Sequence, residues 1–180
     1  MVAVTAATAF LSGHQVAERI TASLPGAVVE ATEGWVVVAA ERLVETCRLL
    51  HDDAELDARF LALISGVDRY DYFEVVYQLS SLAKNQRFAL KVYIEEHEEP
   101  EIPSVSSIWL GAHLQEREIY DLMGIRFSGH PDLKRLFLWE GFPGFPLRKD
   151  FMTLPEGFKP GLQRFPKEDP ESWGGEARVP

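Results

Sequence analysis

The sequence predicts an α+β fold: a mostly antiparallel sheet packed against about three helices, with a long extended Pro/Gly/aromatic C-terminal tail. Three observations predict it. Tyr72 to Leu79 and Arg87 to Glu95 each alternate apolar and polar residues with the period of two of a half-buried strand. Three other segments carry apolar residues at helical spacing. Residues 141–180 hold 6 glycines and 7 prolines, 13 of the chain's 24, a density that keeps out helix and interior strand.

Each element has its own signal. Ser12 followed by Gln15 reads as a capping box opening a helix with Val16, Ala17 and Ile20 on one face, which Leu24-Pro25-Gly26 stops. Ala27 to Ala31 and Trp35 to Ala39 read as strands joined by Thr32-Glu33-Gly34. Leu43, Cys47 and Leu50 place a second helix over Glu41 to about Ala54. Phe60 to Val67 is a short apolar run. In the next two strands Phe73, Val75, Tyr77 and Leu79, then Phe88, Leu90, Val92 and Ile94, form the apolar faces, and the short polar Ser80 to Gln86 link predicts antiparallel pairing. An acidic loop from Glu95 to Glu101, broken by Pro100 and Pro103, leads to a third helix. Ser106 or Ser107 is its expected cap, Ile108, Ala112, Ile119 and Met123 its apolar side, and Gly124 its end. The chain therefore divides into a globular domain, 1–140, and a tail, 141–180. The tail carries Phe142, Phe145, Phe151, Phe158, Phe165 and Trp173, each able to bury about 150–250 Å². Fully extended it reaches about 130 Å, far beyond a globular body with a radius of gyration of roughly 14 Å. It reads as a segment that lies along another protein; the plainer alternative is a disordered end.

Composition narrows the function. The 180 residues carry a formal net charge of −10, which argues against a surface that tracks nucleic-acid phosphates and against electrostatic docking to anionic lipid. The longest apolar runs, such as Trp35 to Ala40, fall far short of the roughly 20 residues that span a bilayer, and Met1 to Phe10 lacks the basic flank and apolar core of a secretory signal. One cysteine, Cys47, supports neither a disulfide framework nor an iron–sulfur cluster, which takes about four ligands. No nucleotide-binding glycine fingerprint is present. A reducing compartment and protein partners are the expectation.

The densest information lies in three ordered blocks. Glu116-Arg117-Glu118-Ile119-Tyr120-Asp121-Leu122-Met123-Gly124 is followed by Gly129-His130-Pro131-Asp132-Leu133-Lys134-Arg135-Leu136, and then by Pro146-Leu147-Arg148-Lys149-Asp150. Together they resemble the E-R-E-x-Y-D-x-x-G, G-H-P-D-L-x-R-L and P-L-R-K-D signature of the C-type, or 30 kDa, subunit family of respiratory complex I, the proton-pumping NADH–quinone oxidoreductase. Trp109 and Ala112 match the lead-in; Leu114 stands where the family often has a tryptophan.

The resemblance implies a non-catalytic structural subunit of the peripheral arm, packing on the large D-type subunit and near the iron–sulfur subunits B and I. It implies a place at the cytoplasmic face of the inner cell membrane, reached through the complex and without a transmembrane segment. NADH, FMN, iron–sulfur clusters and quinone belong on the partners, and this chain is expected to hold no cofactor and no metal. The motif residues Glu116, Arg117, Glu118, Tyr120, Asp121, Gly124, Gly129, His130, Pro131, Asp132, Leu133, Arg135, Pro146, Leu147, Arg148, Lys149 and Asp150 then mark a subunit interface. Similar subunits serve ferredoxin-dependent photosynthetic complexes, F420H2 dehydrogenases and membrane-bound hydrogenases, and in some bacteria the C- and D-type subunits are fused. The chain ends at Pro180 without a D-like extension and is expected to be a separate polypeptide.

Catalytic readings compete at several positions. Glu116, Glu118 and Asp121 form a carboxylate cluster, yet helical spacing makes Glu118 and Asp121 neighbours and pairs Arg117 with Asp121, an arrangement that fixes local structure or a docking surface. His130 with Asp132 resembles part of a metal site, but no ordered set of three or four ligands accompanies it; the alternative is a turn in which Asp132 caps a helical turn from Leu133. Cys47 sits at a core position, with His51 one turn along the helix. Arg148-Lys149 reads as a salt-bridged anchor of the tail on a neighbouring subunit. A small hydrolase using Glu116 or His130, and a free-standing adaptor, are the readings from other classes.

Overall fold

The computed structural model describes residues 7–153, with side chains described to Phe151. Six strands form one mixed, mostly antiparallel sheet: β1 (Ala9–Phe10), β2 (Val28–Ala31), β3 (Val36–Val38), β4 (Phe60–Asp68), β5 (Phe73–Ser81) and β6 (Gln86–Ile94). Their spatial order is β2-β3-β6-β5-β4, with β1 also beside β6. The β2–β3, β5–β6 and β4–β5 pairs are antiparallel; β3 and β1 run parallel to β6. Helices α1 (Gly13–Ser23), α2 (Leu43–Asp52) and α3 (Ala112–Met123) pack against it. Ser12 and Gln15 close the expected capping box.

Register divides the sheet's faces as the alternation requires. Phe73, Val75, Tyr77 and Leu79 stand opposite Ile94, Val92, Leu90 and Phe88. All eight are buried in one core cluster with α1 Val16 and Ile20, α2 Leu43, Cys47 and Leu50, and α3 Ala112, Ile119 and Met123. The opposite face pairs Val76 with Lys91 and Ser80 with Arg87. Glu74 is buried there as well, and it stays ionised because Arg69 and Lys91 donate to its two oxygens at 3.2 Å. Gly66 of β4 lies under α3: a Cβ there would sit 2.6 Å from Met123 Sδ, so the missing side chain sets how closely helix and strand approach.

β4 is an edge strand, interrupted by a bulge between Leu61 and Leu63. Its Ile64 amide donates to Gln115 Oε1, reaching over from α3.

Three strands escape the sequence reading, the two-residue β1 among them. β7 (Glu101–Pro103) and β8 (Arg126–Ser128) form a small parallel sheet, which the flanking prolines and Gly124 had disguised as loop. Its inward residues Ile102 and Phe127 belong to the core. The expected Ser106 or Ser107 cap is also replaced. α3 begins after Gly111 without a side-chain cap, because the segment from Val105 to Ala112 first makes tight turns of its own.

The tail begins differently from its expectation. Residues 141–151, instead of departing from the body, remain hydrogen-bonded to it; residues 154–180, where Phe158, Phe165 and Trp173 fall, lie outside those described.

Candidate functional site

α3 organises all three sequence blocks. An amphipathic helix normally buries one apolar stripe, but α3 also buries two carboxylates, Glu116 and Asp121, both fully inaccessible. Each must find partners, since a lone buried charge is prohibitively costly.

Glu116 turns toward the entrance of its own helix. Ser104 Oγ donates to it at 2.6 Å and the Val105 amide at 2.8 Å. Ser106 then uses Ser104 Oγ, its amide donating at 3.1 Å. Burial outweighs these bonds and raises the Glu116 carboxyl to about 7. The serines around the helix entrance thus serve the glutamate inside it.

Asp121 faces the other way, under the chain that returns along α3. Its Oδ2 accepts from the amides of Leu136, Phe137 and Leu138 at 2.8, 2.6 and 3.0 Å, and Oδ1 accepts from Arg135 Nη1 at 3.1 Å. Burial opposes ionisation, but three amides and a guanidinium prevail and hold the carboxyl below its usual range. This corrects the Arg117–Asp121 pair: Asp121 pairs with Arg135, fourteen residues on. Arg117 instead donates to the Lys134 and Arg135 carbonyls at 3.0 and 3.1 Å.

The second block is held as tightly. Gly129 takes φ +80°, and His130 Nε2–H donates to the His113 carbonyl at 3.0 Å while Nδ1 accepts from the Asp132 amide at 3.0 Å. With both ring nitrogens engaged, His130 is a neutral brace; burial holds its pKa down. Asp132 caps no helical turn, since 133–135 are irregular; its carboxylate pairs with Lys134 at 2.7 Å. Pro131 and Glu118 are exposed, Tyr120 is half-buried, and Leu133 packs on the core's rim.

The third block closes the end of the helix. Gly124, at φ +76°, is its left-handed cap, and a Cβ there would meet the Phe145 ring at 2.5 Å. The Leu147 amide donates to the Leu122 carbonyl at 2.9 Å, and Arg148 Nε to the Met123 carbonyl at 2.7 Å. These are among the carbonyls a helix end leaves without partners, and a cation there also opposes the helix dipole favourably. Arg148 continues to the His97 carbonyl at 3.1 Å and lies over the Phe73 and Phe145 rings. The Lys149 amide donates to buried Asp68 at 2.9 Å. Arg148-Lys149 therefore anchors the segment onto its own domain, correcting the anchor placed on a neighbour; the acceptors, two main-chain carbonyls and the Asp68 carboxylate, lie at distances along the chain that sequence spacing does not reveal. Pro146 is half-buried, and Lys149 and Asp150 face solvent. Asp68 and Ser104 went unnoticed in the sequence for the same reason: each joins the motif from far along the chain.

Chemically, this arrangement leaves little reactive. Cys47 is buried and its thiol is pushed up, first by desolvation and then by Glu116, away from nucleophilic thiolate. His51 packs edge-on against Trp109 and pairs with Asp52. Among the described residues no group of three or more His, Cys, Asp or Glu side chains is placed to hold a metal ion, and no helix is long and apolar enough to cross a membrane.

Comparison with known proteins gives a consistent result. Residues 36–156 match the family described as respiratory-chain NADH dehydrogenase, 30 kDa subunit. The chain is similar to the second C-type subunit of the NADH-quinone oxidoreductase of Rhizobium etli (strain CIAT 652), 46% identical over 136 residues, covering 74% of this chain and 71% of that protein. It is also similar to the C-type subunit of the NADH-quinone oxidoreductase of Roseiflexus sp. (strain RS-1), 44% identical over 147 residues, covering 78% and 84%. Among solved structures, a chain of the membrane-bound sulfane sulfur reductase, an archaeal respiratory membrane complex, shares the fold with a TM-score of 0.61 at 20% identity, over 85% of this chain and 98% of that one.

Proposed function

The chain belongs to the 30 kDa subunit family of respiratory-chain NADH dehydrogenase, and from that premise we propose that it is a non-catalytic structural subunit of the peripheral arm of a proton-pumping NADH–quinone oxidoreductase. In this reading it supports electron transfer from NADH to quinone by holding the quinone-binding and iron–sulfur subunits in place. Its partners are subunits D, B and I; the complex carries it at the cytoplasmic face of the membrane, and NADH, FMN, clusters and quinone reside on partner subunits.

The observation that carries this reading is where the motif's polar groups go. Glu116, Asp121, Arg117, Arg135, Arg148 and His130 all bond within the chain, most of them to main-chain atoms. Groups committed in that way hold a surface in shape and leave no free acid–base pair. That disfavours a hydrolase using Glu116 or His130 and supports a scaffold.

The test is recovery of the tagged full-length chain from a mild-detergent membrane extract. The D- and B-type subunits in stoichiometric yield, with NADH–quinone activity lost on deleting the gene and restored by the full chain, is the expected result. Recovery of the chain alone, or turnover by the isolated chain, would overturn it. A second reading has one observation in its favour, the shared fold with a chain of another respiratory membrane complex: this subunit would then serve a related assembly using ferredoxin, F420H2 or hydrogen. Comparing membrane quinone reduction with NADH and with those donors separates the two.

A further inference from the structure

We infer that Glu116 is a proton-binding site in communication with bulk water: Ser104 and Ser106 form a two-hydroxyl relay through which its buried carboxyl gains and loses a proton while the fold stays closed. The inference stands on the domain's own geometry and goes beyond the scaffold reading.

The surroundings of Glu116 favour a proton over a charge. Its side chain is fully inaccessible, and the segment entering α3 occupies both oxygens: Ser104 Oγ lies 2.6 Å from Oε2, and the Val105 amide donates to Oε1 at 2.8 Å. Among the described residues no cation pairs with it, in contrast to Asp121 with Arg135 and Glu74 with Arg69 and Lys91. Cys47 of α2 and Tyr77 of β5 are the titratable groups that feel its charge from the elements packed opposite. Burial pushes the ionisation of both upward, so they stay neutral and bring no compensating charge. A carboxyl placed in this way keeps its proton to higher pH than one in water, in line with its rise to about 7. The site takes a proton and nothing larger, since no solvent-sized species reaches its oxygens.

The route to solvent runs through the serines. Ser104 Oγ lies 2.7 Å from Ser106 Oγ and accepts from the Ser106 amide at 3.1 Å. Ser104 is buried, Ser106 half-buried and Ser107 exposed, so the path from core to water is short. A hydroxyl offers one donor and two acceptor positions, and Ser104 fills all three in either protonation state. With Glu116 ionised, Ser104 donates to Oε2 and accepts from the amide and the hydroxyl of Ser106. With Glu116 protonated, Oε2–H donates to Ser104 Oγ, which still accepts from the amide and turns its own proton toward Ser106 Oγ. On deprotonation the Oε2 proton passes to Ser104 Oγ, the Ser104 proton to Ser106 Oγ, and the Ser106 proton to a water or a buffer base. One proton departs, each hydroxyl is restored pointing the other way, and no heavy atom has to move.

NMR of the full-length chain with isotope-labelled glutamate carboxyl carbons, titrated across neutral pH in concentrated buffer, reads the site directly. One resonance, missing from Glu116→Gln, is expected to follow pH as a single moving peak with its midpoint at about 7, because exchange through the relay outruns the shift difference between the two forms. Ser106→Ala removes the outer hydroxyl, which makes no hydrogen bond to the carboxyl itself, and is expected to melt with the wild type. The proton of that variant must wait for local opening, a process of microseconds to seconds. Its resonance is therefore expected to broaden or split into protonated and ionised forms at nearly the same midpoint. Ser106→Thr keeps the hydroxyl and is expected to restore the single peak; a merely structural role for Ser106 would move the melting temperature or the midpoint and leave exchange fast. A chain in which no glutamate titrates near neutrality would overturn the proton site. A wild-type resonance already split, or a single sharp peak retained by Ser106→Ala, would overturn the relay.

Discussion

Replacing Glu116 by glutamine should reverse the usual sense of losing a buried, hydrogen-bonded charge: above neutral pH the variant is expected to be the more stable protein. In the unfolded chain this carboxyl titrates near 4.5, and in the fold it is raised to about 7. Below pH 4.5 it is protonated in both states and costs nothing. As pH rises toward 7 the unfolded chain releases the proton and the folded chain keeps it, so stability is lost progressively, and the loss is complete above the folded value. A difference of that size corresponds to about 3 kcal/mol. Glutamine does not titrate, and its carbonyl oxygen can still accept from Ser104 or Val105. Urea unfolding of both proteins at 25 °C between pH 4.5 and 8 is the assay. Asp57, Asp68, Glu74 and Asp121, held low, lose their contribution on the acid side, and burial holds His130 below its usual value; all cancel in the difference between the two proteins. The variant's advantage is expected to grow by about 3 kcal/mol from pH 4.5 to 8. Parallel curves, separated by a constant offset, would refute a buried glutamate that resists ionisation.

Other expectations follow from the same contacts. Val92→Asp puts an unpaired carboxylate into the core opposite Val75 and is expected to cost several kcal/mol, on the order of 4, read as a lowered urea midpoint. Asp121→Ala leaves Arg135 without its carboxylate and three amides without an acceptor, an expected loss of about 3 kcal/mol that narrows as pH falls from the unfolded aspartate's 3.8 through the lower folded value. Ending the chain after Leu138 removes Phe145, Leu147 and Arg148 from the end of α3 and is expected to lower the melting temperature. Ending it after Thr153 is expected to leave melting unchanged while reducing recovery with partner subunits; unimpaired recovery would show that residues 154–180 do not bind them.

The parts legible in the sequence were those whose signal is local. Alternation in β5 and β6 named the core face residue by residue, because each side chain's environment follows from strand pleating alone. The Ser12–Gln15 box and Gly124 were legible because a cap involves groups within one helical turn. Arg135 offers no such clue: its partner lies fourteen residues away, and helical spacing pointed Asp121 to Arg117, which is nearer in sequence and otherwise occupied. β7 and β8 hid for a related reason, since three-residue parallel strands leave no periodic pattern and Pro103 argued against one. The proline- and glycine-rich composition after residue 140 correctly foretold irregular backbone through 148. It carried no information on what that backbone touches, and Phe145 lies against Gly124 only because a left-handed cap happens to leave its α-carbon bare.

Gln115 has a consequence outside assembly. A nine-residue edge strand such as β4 offers unpaired amides and carbonyls to any extended chain that drifts past, and a subunit awaiting a multicomponent complex spends time alone in a crowded solution. By taking the Ile64 amide, a side chain from α3 occupies one rung of that open ladder, and the bulge at Leu61–Leu63 bends the rungs before it out of line. Exchanging Gln115 for leucine would free the Ile64 amide, and the first symptom would be turbidity in concentrated stocks of free chain, before any deficit in respiration.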